Sequence, residues 1–179
     1  MTLSTKSLGR ARWPVLAAAL LATAASAGDA KCVFKAVGAG GLSFQGKTAE
    51  VSAKTEGANV VVTVVLKQLE TGISLRDKHM KEKYLQVDKF PVALLTVTRS
   101  TLKEPSAADT QGEGSGTFTL HGVSKVLPFK YTASKGKDGI SVSGTLRLNM
   151  NEFGVEVPSY LGVTVKPDID VEAQFTFVP

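Results

Sequence analysis

Hydrophobic and polar residues alternate along most of this chain with a period of two, in runs of five to ten residues. That is the pattern of strands with one buried face. Residues 59–66, Asn-Val-Val-Val-Thr-Val-Val-Leu, are β-branched almost throughout. In 92–99, Leu95 and Val97 alternate with Thr96 and Thr98. In 116–121, Phe118 and Leu120 oppose Thr117, Thr119 and His121. In 144–150, Leu146, Leu148 and Met150 oppose Thr145, Arg147 and Asn149. The final run is the most regular, with Ile169, Val171, Ala173, Phe175 and Phe177 alternating with Asp170, Glu172, Gln174 and Thr176. Between the runs, Gly38-Ala39-Gly40-Gly41, Glu56-Gly57-Ala58-Asn59 and Lys135-Gly136-Lys137-Asp138-Gly139 are hairpin-like connections. Glu104 to Gly114 is polar, contains Pro105, and reads as a longer exposed loop. Short antiparallel strands at regular spacing predict an all-β sandwich or barrel.

Two segments break the alternation. In 75–85, LRDKHMKEKYL, Met80 and Tyr84 stand four apart with charges between them, which predicts one or two helical turns. Residues 151–165, NEFGVEVPSYLGVTV, hold apolar side chains around Gly154, Pro158 and Gly162 without a regular period. In a barrel of about eight strands such interruptions mark a mouth, and the interior is either packed or holds one ligand.

The N-terminus changes the picture of charge. Lys6, Arg10 and Arg12 precede an apolar run from Trp13 to Ala25, and Ala25-Ser26-Ala27 follows the small-x-small cleavage pattern. The run is well short of the roughly 20 residues that cross a bilayer. Residues 1–27 therefore read as a cleaved secretory signal peptide and 28–179 as one domain that works outside the cytoplasm, with no membrane-spanning segment after cleavage. The whole chain carries 21 basic and 16 acidic residues; without the three basic residues of the leader the balance is 18 − 16 = +2. A weak, dispersed positive charge is not the footprint of a nucleic-acid binder. The lone Cys32 excludes a disulfide within the chain, and Gly28-Asp29-Ala30-Lys31 before it does not fit a lipoprotein anchor.

The two irregular segments also carry a resemblance. TGISLRDKHMKEKYLQVDKFP (Thr71 to Pro91), GTFTLHGVSKVLPF (Gly116 to Phe129) and GTLRLNMNEFGVEVPSYLGVTVKPDIDVEAQFTF (Gly144 to Phe177) resemble, in order, three motifs of the YceI-like, polyisoprenoid-binding family. Together they cover roughly residues 59–178. The resemblance implies an extended lipocalin-like antiparallel barrel with a tunnel for a long isoprenoid chain, such as a polyprenyl phosphate or a quinone tail. It also implies a periplasmic location, frequent dimerisation and no established catalysis. The first third departs from the family pattern: 31–37 is Lys-Cys-Val-Phe-Lys-Ala-Val where family members usually begin Asp-x-x-His-Ser.

A prenyl tunnel needs apolar area more than polar chemistry, because burial contributes about 25 cal/mol per Å². Candidate lining residues are Phe44, Ile73, Met80, Tyr84, Phe90, Phe118, Leu120, Phe129, Leu146, Phe153, Tyr160 and Leu161, with packing of the same residues as a filled core the alternative. Met80, Tyr84, Phe153 and Tyr160 are the ones expected at the mouth. Arg76, Asp77 and His79 either meet a head group or lock the short helix to the barrel, and His121 precedes a glycine turn. No G-x-S-x-G elbow activates a serine, no glycine loop cradles a phosphate before a helix, and two histidines make a poor metal set. The resemblance, with these motifs absent, implies a carrier of an isoprenoid lipid without a cofactor. Its rivals are a metal- or haem-linked redox accessory using His79 and His121, and a filled-core stress protein acting through protein partners.

Overall fold

A computed structural model describes residues 30–160 and 163–179. The expected signal peptide and Leu161 lie outside the described residues. The strands are β1 Lys31–Val37, β2 Ser43–Thr48, β3 Val51–Glu56, β4 Asn59–Val65, β5 Val92–Thr98, β6 Thr110–Leu120, β7 Val123–Lys135, β8 Ile140–Asn149, β9 Ser159–Tyr160, β10 Val163–Thr164 and β11 Asp168–Phe177. One helix, α1, spans Ser74–His79 and continues as a π turn over Met80–Tyr84. Nine strands form one antiparallel sheet in the order β2-β1-β11-β8-β7-β6-β5-β4-β3, and β9 and β10 make a separate small hairpin.

The two outer strands of that order, β2 and β3, are consecutive in the chain. Only Ala49 and Glu50 separate them, so the sheet curls until its edges meet at one corner. Three hydrogen bonds shape the corner. Glu50 N donates to Thr48 Oγ1 at 3.0 Å, Val51 N to Ala49 O at 2.9 Å, and Val65 N to Glu50 O at 2.9 Å. β3 then lies along β11, and the result is a nearly closed barrel. The sequence predicts a barrel of about eight strands and the barrel sheet has nine, with this corner dividing one bent strand into β2 and β3.

The three predicted hairpin connections join β1 to β2, β3 to β4 and β7 to β8. A fourth joins β6 to β7 through His121 and Gly122, at φ 52° and φ 77°, with Leu120 opposite Val123. Two central residues at positive φ make a type I′ turn, whose twist matches that of the flanking strands. The β7–β8 ladder runs from Lys135 opposite Ile140 to Phe129 opposite Leu146 and stops there. The next residue, Pro128, has no N–H to offer a ladder. One expectation needs correcting: Gly112 and Gly114 lie inside strand β6, not in an exposed loop. Their missing side chains are used by the rings of β7, as described below.

The interior divides into two halves. At the α1 end, Leu66, Val87, Phe118, Leu120, Leu148, Met150, Phe153 and Ile169 form one cluster, with Tyr84 and Leu85 packed on it. Phe153 has no exposed surface at all and meets Phe118 edge-on, ring centroids 5.6 Å apart. At the opposite end, Cys32, Val51, Val60, Phe175 and Phe177 form a second cluster, and Val97, Phe129, Tyr131 and Ala133 a third.

Cys32 is a wall residue of the second cluster, and burial pushes its thiol up to about 11 from an ordinary 9.0. The raised value means the fold favours the protonated thiol. That stability is fully present below pH 9 and is lost as pH rises through 9 to 11. The native protein at pH 8 is therefore expected to leave Ellman's reagent unreacted, with one thiol appearing on denaturation in guanidinium. Prompt reaction of the native thiol would contradict this packing.

Candidate functional site

The space inside the barrel lies at the end remote from α1. A cavity of about 150 Å³ sits among Val60, Val62, Leu95, Val97, Phe129, Tyr131, Ile140, Val142, Leu146, Val171, Ala173, Phe175 and Phe177. It is an almost wholly apolar wall drawn from β4, β5, β7, β8 and β11. Thr55, Arg99, Leu102, Lys103, Glu104, Pro105 and Pro179 border it as well. These belong to the β3–β4 hairpin, the β5–β6 connection and the end of β11, so they mark the rim.

The cavity exists because of a glycine pattern that faces two aromatic rings. Gly112, Gly114 and Gly116 alternate along β6, opposite Tyr131, Phe129 and Leu127 of β7. A Cβ on Gly114 would stand 2.8 Å from Phe129 Cζ, and one on Gly112 would collide with the Tyr131 ring. The glycines thus let both rings lie flat against the β6 wall instead of filling the barrel axis. Tyr131 is fixed there by its hydroxyl, which accepts a hydrogen bond from Lys103 N at 2.8 Å. The same bond ties the β5–β6 connection across the rim, with Leu102 packed on the two upper clusters.

Two polar atoms are enclosed without partners among the described residues: Thr55 Oγ1 and His121 Nε2. An unmatched buried polar group costs about 1–3 kcal/mol. His121 belongs to the α1 end, where its ring packs against Phe90 at 4.6 Å between centroids with the planes tilted by 57°. Thr55 borders the cavity.

The residues singled out in the sequence are distributed as follows. Phe129 and Leu146 line the cavity. Phe118, Leu120 and Phe153 are packed in the α1-end cluster, with Phe44 and Tyr84 against it. Met80 and Phe90 are half-buried, and Ile73 is 55% exposed. Tyr160 stands in β9. The α1 end, where a mouth was expected, is a plug, because the irregular segments supply Phe153, Val155, Tyr84 and Leu85 to the core. Lys83 Nζ, 3.1 Å from Glu156 Oε1, joins those two segments on the outside.

Arg76 and Asp77 hold the helix to the preceding turn. Asp77 accepts from Thr71 N at 2.7 Å and from Thr71 Oγ1, while Arg76 Nε donates to Thr71 Oγ1 at 2.7 Å and Arg76 Nη2 to Thr71 O at 2.8 Å. The Arg76 guanidinium also lies 4.7 Å over the Phe44 ring. His79 is exposed. Among the described residues no group of three or more His, Cys, Asp or Glu side chains could hold a metal ion.

Sequence reasoning missed Val60, Val62, Tyr131, Val142 and the rim residues. The usable signal was the alternating Gly112-x-Gly114-x-Gly116 opposite Phe129-x-Tyr131. A larger hollow, about 810 Å³, is an open groove on the outer face of β6, β7, β8, β11 and β1. Its charges are already matched: Lys130–Glu113 at 3.1 Å, Lys35–Glu172 at 3.6 Å and Arg147–Asp170 at 3.8 Å. Exposed pairs of this kind contribute little, and the groove offers no unmatched chemistry.

Two substitutions separate cavity from plug. Leu146→Trp is expected to fill the cavity and abolish uptake of an apolar probe while the protein stays folded. Leu120→Trp is expected to overpack the plug and cost about 1–3 kcal/mol or more in urea denaturation. Gly114→Val, which drives the Phe129 ring off the wall, is expected to weaken probe binding more than it lowers the melting temperature. Equal loss of folding in Leu146→Trp and Leu120→Trp would mean both ends are filled.

The YceI-like domain family matches residues 24–177. A UPF0312 protein of Pseudomonas putida is 32% identical over 136 residues, covering 72% of this chain and 69% of that protein. A UPF0312 protein of Pseudomonas savastanoi pv. phaseolicola is 34% identical over 128 residues, covering 68% and 65%. Among solved structures, a polyisoprenoid-binding domain from Saccharophagus degradans, implicated in plant cell wall breakdown, superposes with a TM-score of 0.68. It does so at 16% identity over 84% of this chain and 94% of that one. Burkholderia cenocepacia BcnA gives a TM-score of 0.63 at 13% identity, over 82% and 96%. The two superpositions place the barrel among lipocalin-like folds, and the sequence matches are specific enough to assign kinship: this chain belongs to the YceI-like domain family.

Proposed function

We propose that this protein is a binding protein, not an enzyme, that takes up the apolar chain of an isoprenoid-type lipid inside its barrel after export to the periplasm. The observation that carries the reading is the apolar cavity at the rim end, bounded by Phe129, Leu146, Val171 and Phe175. The polyisoprenoid-binding domain that shares the fold supports the choice of ligand. The signal-like N-terminus supports the compartment, where prenyl-tailed intermediates have to cross water between membranes.

Size sets the terms of binding. A water's share of liquid volume is about 30 Å³, so a cavity of about 150 Å³ seats about five carbon-sized groups, close to one isoprene unit. At about 0.8 kcal/mol per buried methylene, that much burial contributes about 4 kcal/mol. The cost of association is set against this, so such a segment alone is held no more tightly than millimolar. A tight complex with a longer chain therefore needs more burial than the empty barrel offers, gained either along the rim under Leu102 and Pro105 or by loosening the packed half. The carrier mechanism is reversible burial of the tail, with affinity rising as more of the chain enters.

Organic extraction and mass spectrometry of protein purified from its native host test this directly. A stoichiometric prenyl lipid, lost from Leu146→Trp, is the expected result. A lipid-free protein that also fails to take up farnesol would overturn it. One equivalent of metal, lost in His79→Ala, would favour a redox accessory instead.

A further inference from the structure

The deeper wall of the cavity is apolar, and its rim carries the polar side chains of Thr55, Arg99, Lys103 and Glu104. Thr55 is the penultimate residue of β3, paired with Val60 at the β3–β4 hairpin, and it borders the cavity at the rim. Its Oγ1 is out of water's reach and makes no hydrogen bond among the described residues. The neighbouring inward positions of β3, Val51 and Ala53, are apolar and packed in the rim-end cluster. A threonine hydroxyl without a partner is therefore the exception on this face, and valine would fill the same volume without leaving a polar atom unmatched. Because Thr55 borders the cavity, a change of χ1 well that presents Oγ1 to that space is the movement a hydrogen bond to a ligand requires. Tyr131 adds a second hydroxyl at the same end. Its oxygen accepts from Lys103 N, and its proton is not engaged among the described residues. Deeper in, the wall is Val62, Leu95, Val142, Leu146 and Val171, and nothing there meets a polar group.

Resting on the reading that the cavity takes an isoprenoid chain, we propose that the ligand enters tail first and that Thr55 Oγ1 hydrogen-bonds a terminal oxygen, a hydroxyl or carbonyl, held at the rim. The site thereby distinguishes an oxygen-bearing prenyl compound from a hydrocarbon of the same carbon skeleton. The polarity of binding follows from the same geometry: the oxygen stays beside the β3–β4 hairpin, and the tail points toward the packed half.

A cycle that removes the hydroxyl from either side isolates this one contact. Binding of 3-methylbut-2-en-1-ol and of 2-methylbut-2-ene, each five carbons long, is followed by amide and methyl chemical-shift titration of the wild-type protein, Thr55→Val and Thr55→Ser. Thr55→Val is expected to weaken binding of the alcohol about fivefold relative to the hydrocarbon, the size of one net hydrogen bond. Thr55→Ser is expected to restore the difference. Because Thr55→Val removes an unmatched polar atom at constant volume, its melting temperature is expected to be no lower than that of the wild type. Equal effects of Thr55→Val on both ligands overturn the assignment to Thr55 while leaving the carrier reading intact. Should neither five-carbon ligand bind, the same comparison is read with farnesol and its parent hydrocarbon, and failure of farnesol to bind overturns the carrier reading itself.

Discussion

The structure depends on how two aromatic rings are stowed. Phe129 and Tyr131 project from the middle of β7 into the barrel, and either one standing upright would occupy the axis. They lie flat instead, because β6 presents Gly112 and Gly114 beneath them. This arrangement converts side-chain volume that would fill the core into lining. It also carries a cost, since glycine in a strand weakens it through chain entropy and lost packing. β6 is held nonetheless, by a ladder along its whole length to β7 and by the type I′ turn at His121-Gly122 that fixes the register.

The rest of the architecture divides labour around that wall. The bent strand at Ala49-Glu50 brings the sheet's two edges together, so an edge-rich sheet becomes a barrel with an inside. The two segments without strand periodicity close one end: α1 and its π turn deliver Tyr84 and Leu85, and the 150–157 stretch delivers Met150, Phe153 and Val155. The Thr71–Arg76–Asp77 hydrogen bonds hold that plug in place. Among the described residues the other end is bordered by hairpin tips, the end of β11 and the β5–β6 connection, latched through Lys103 N and Tyr131 Oη. One end is therefore a floor and the other a rim, and the proposed tail binding rests on that difference.

Much of this was legible from residue order. Strict alternation located β8 and β11, and β5 and the second half of β6, because in those strands one face is apolar and the other polar. The three glycine-rich hairpins were legible for the same local reason. The polarity of the barrel was not. Phe153, Tyr84 and Met80 sit in segments that break the strand pattern, and an irregular aromatic stretch looks alike whether it frames an opening or plugs one. Val60 and Val62 were hidden by the β-branched run of β4, where both faces are apolar and periodicity cannot say which points inward. The Arg76–Asp77 pair was read with two alternatives, since helix locking and head-group binding ask for the same residue types. Gly112 and Gly114 look like loop residues in the sequence because glycine and polar neighbours are turn signals; their meaning appears only when β7 is laid beside them.

The central claim is that an apolar tail occupies the rim-end cavity and not the packed end. Intermolecular nuclear Overhauser effects between bound farnesol and the assigned methyl groups of the protein test it most directly. Cross-peaks from the tail to Val60, Val62, Leu95, Val142 and Leu146 are the predicted result. Cross-peaks confined to Leu120, Leu148 and Met150, or to the exposed Leu75 and Ile73 on the α1 side, would contradict the account.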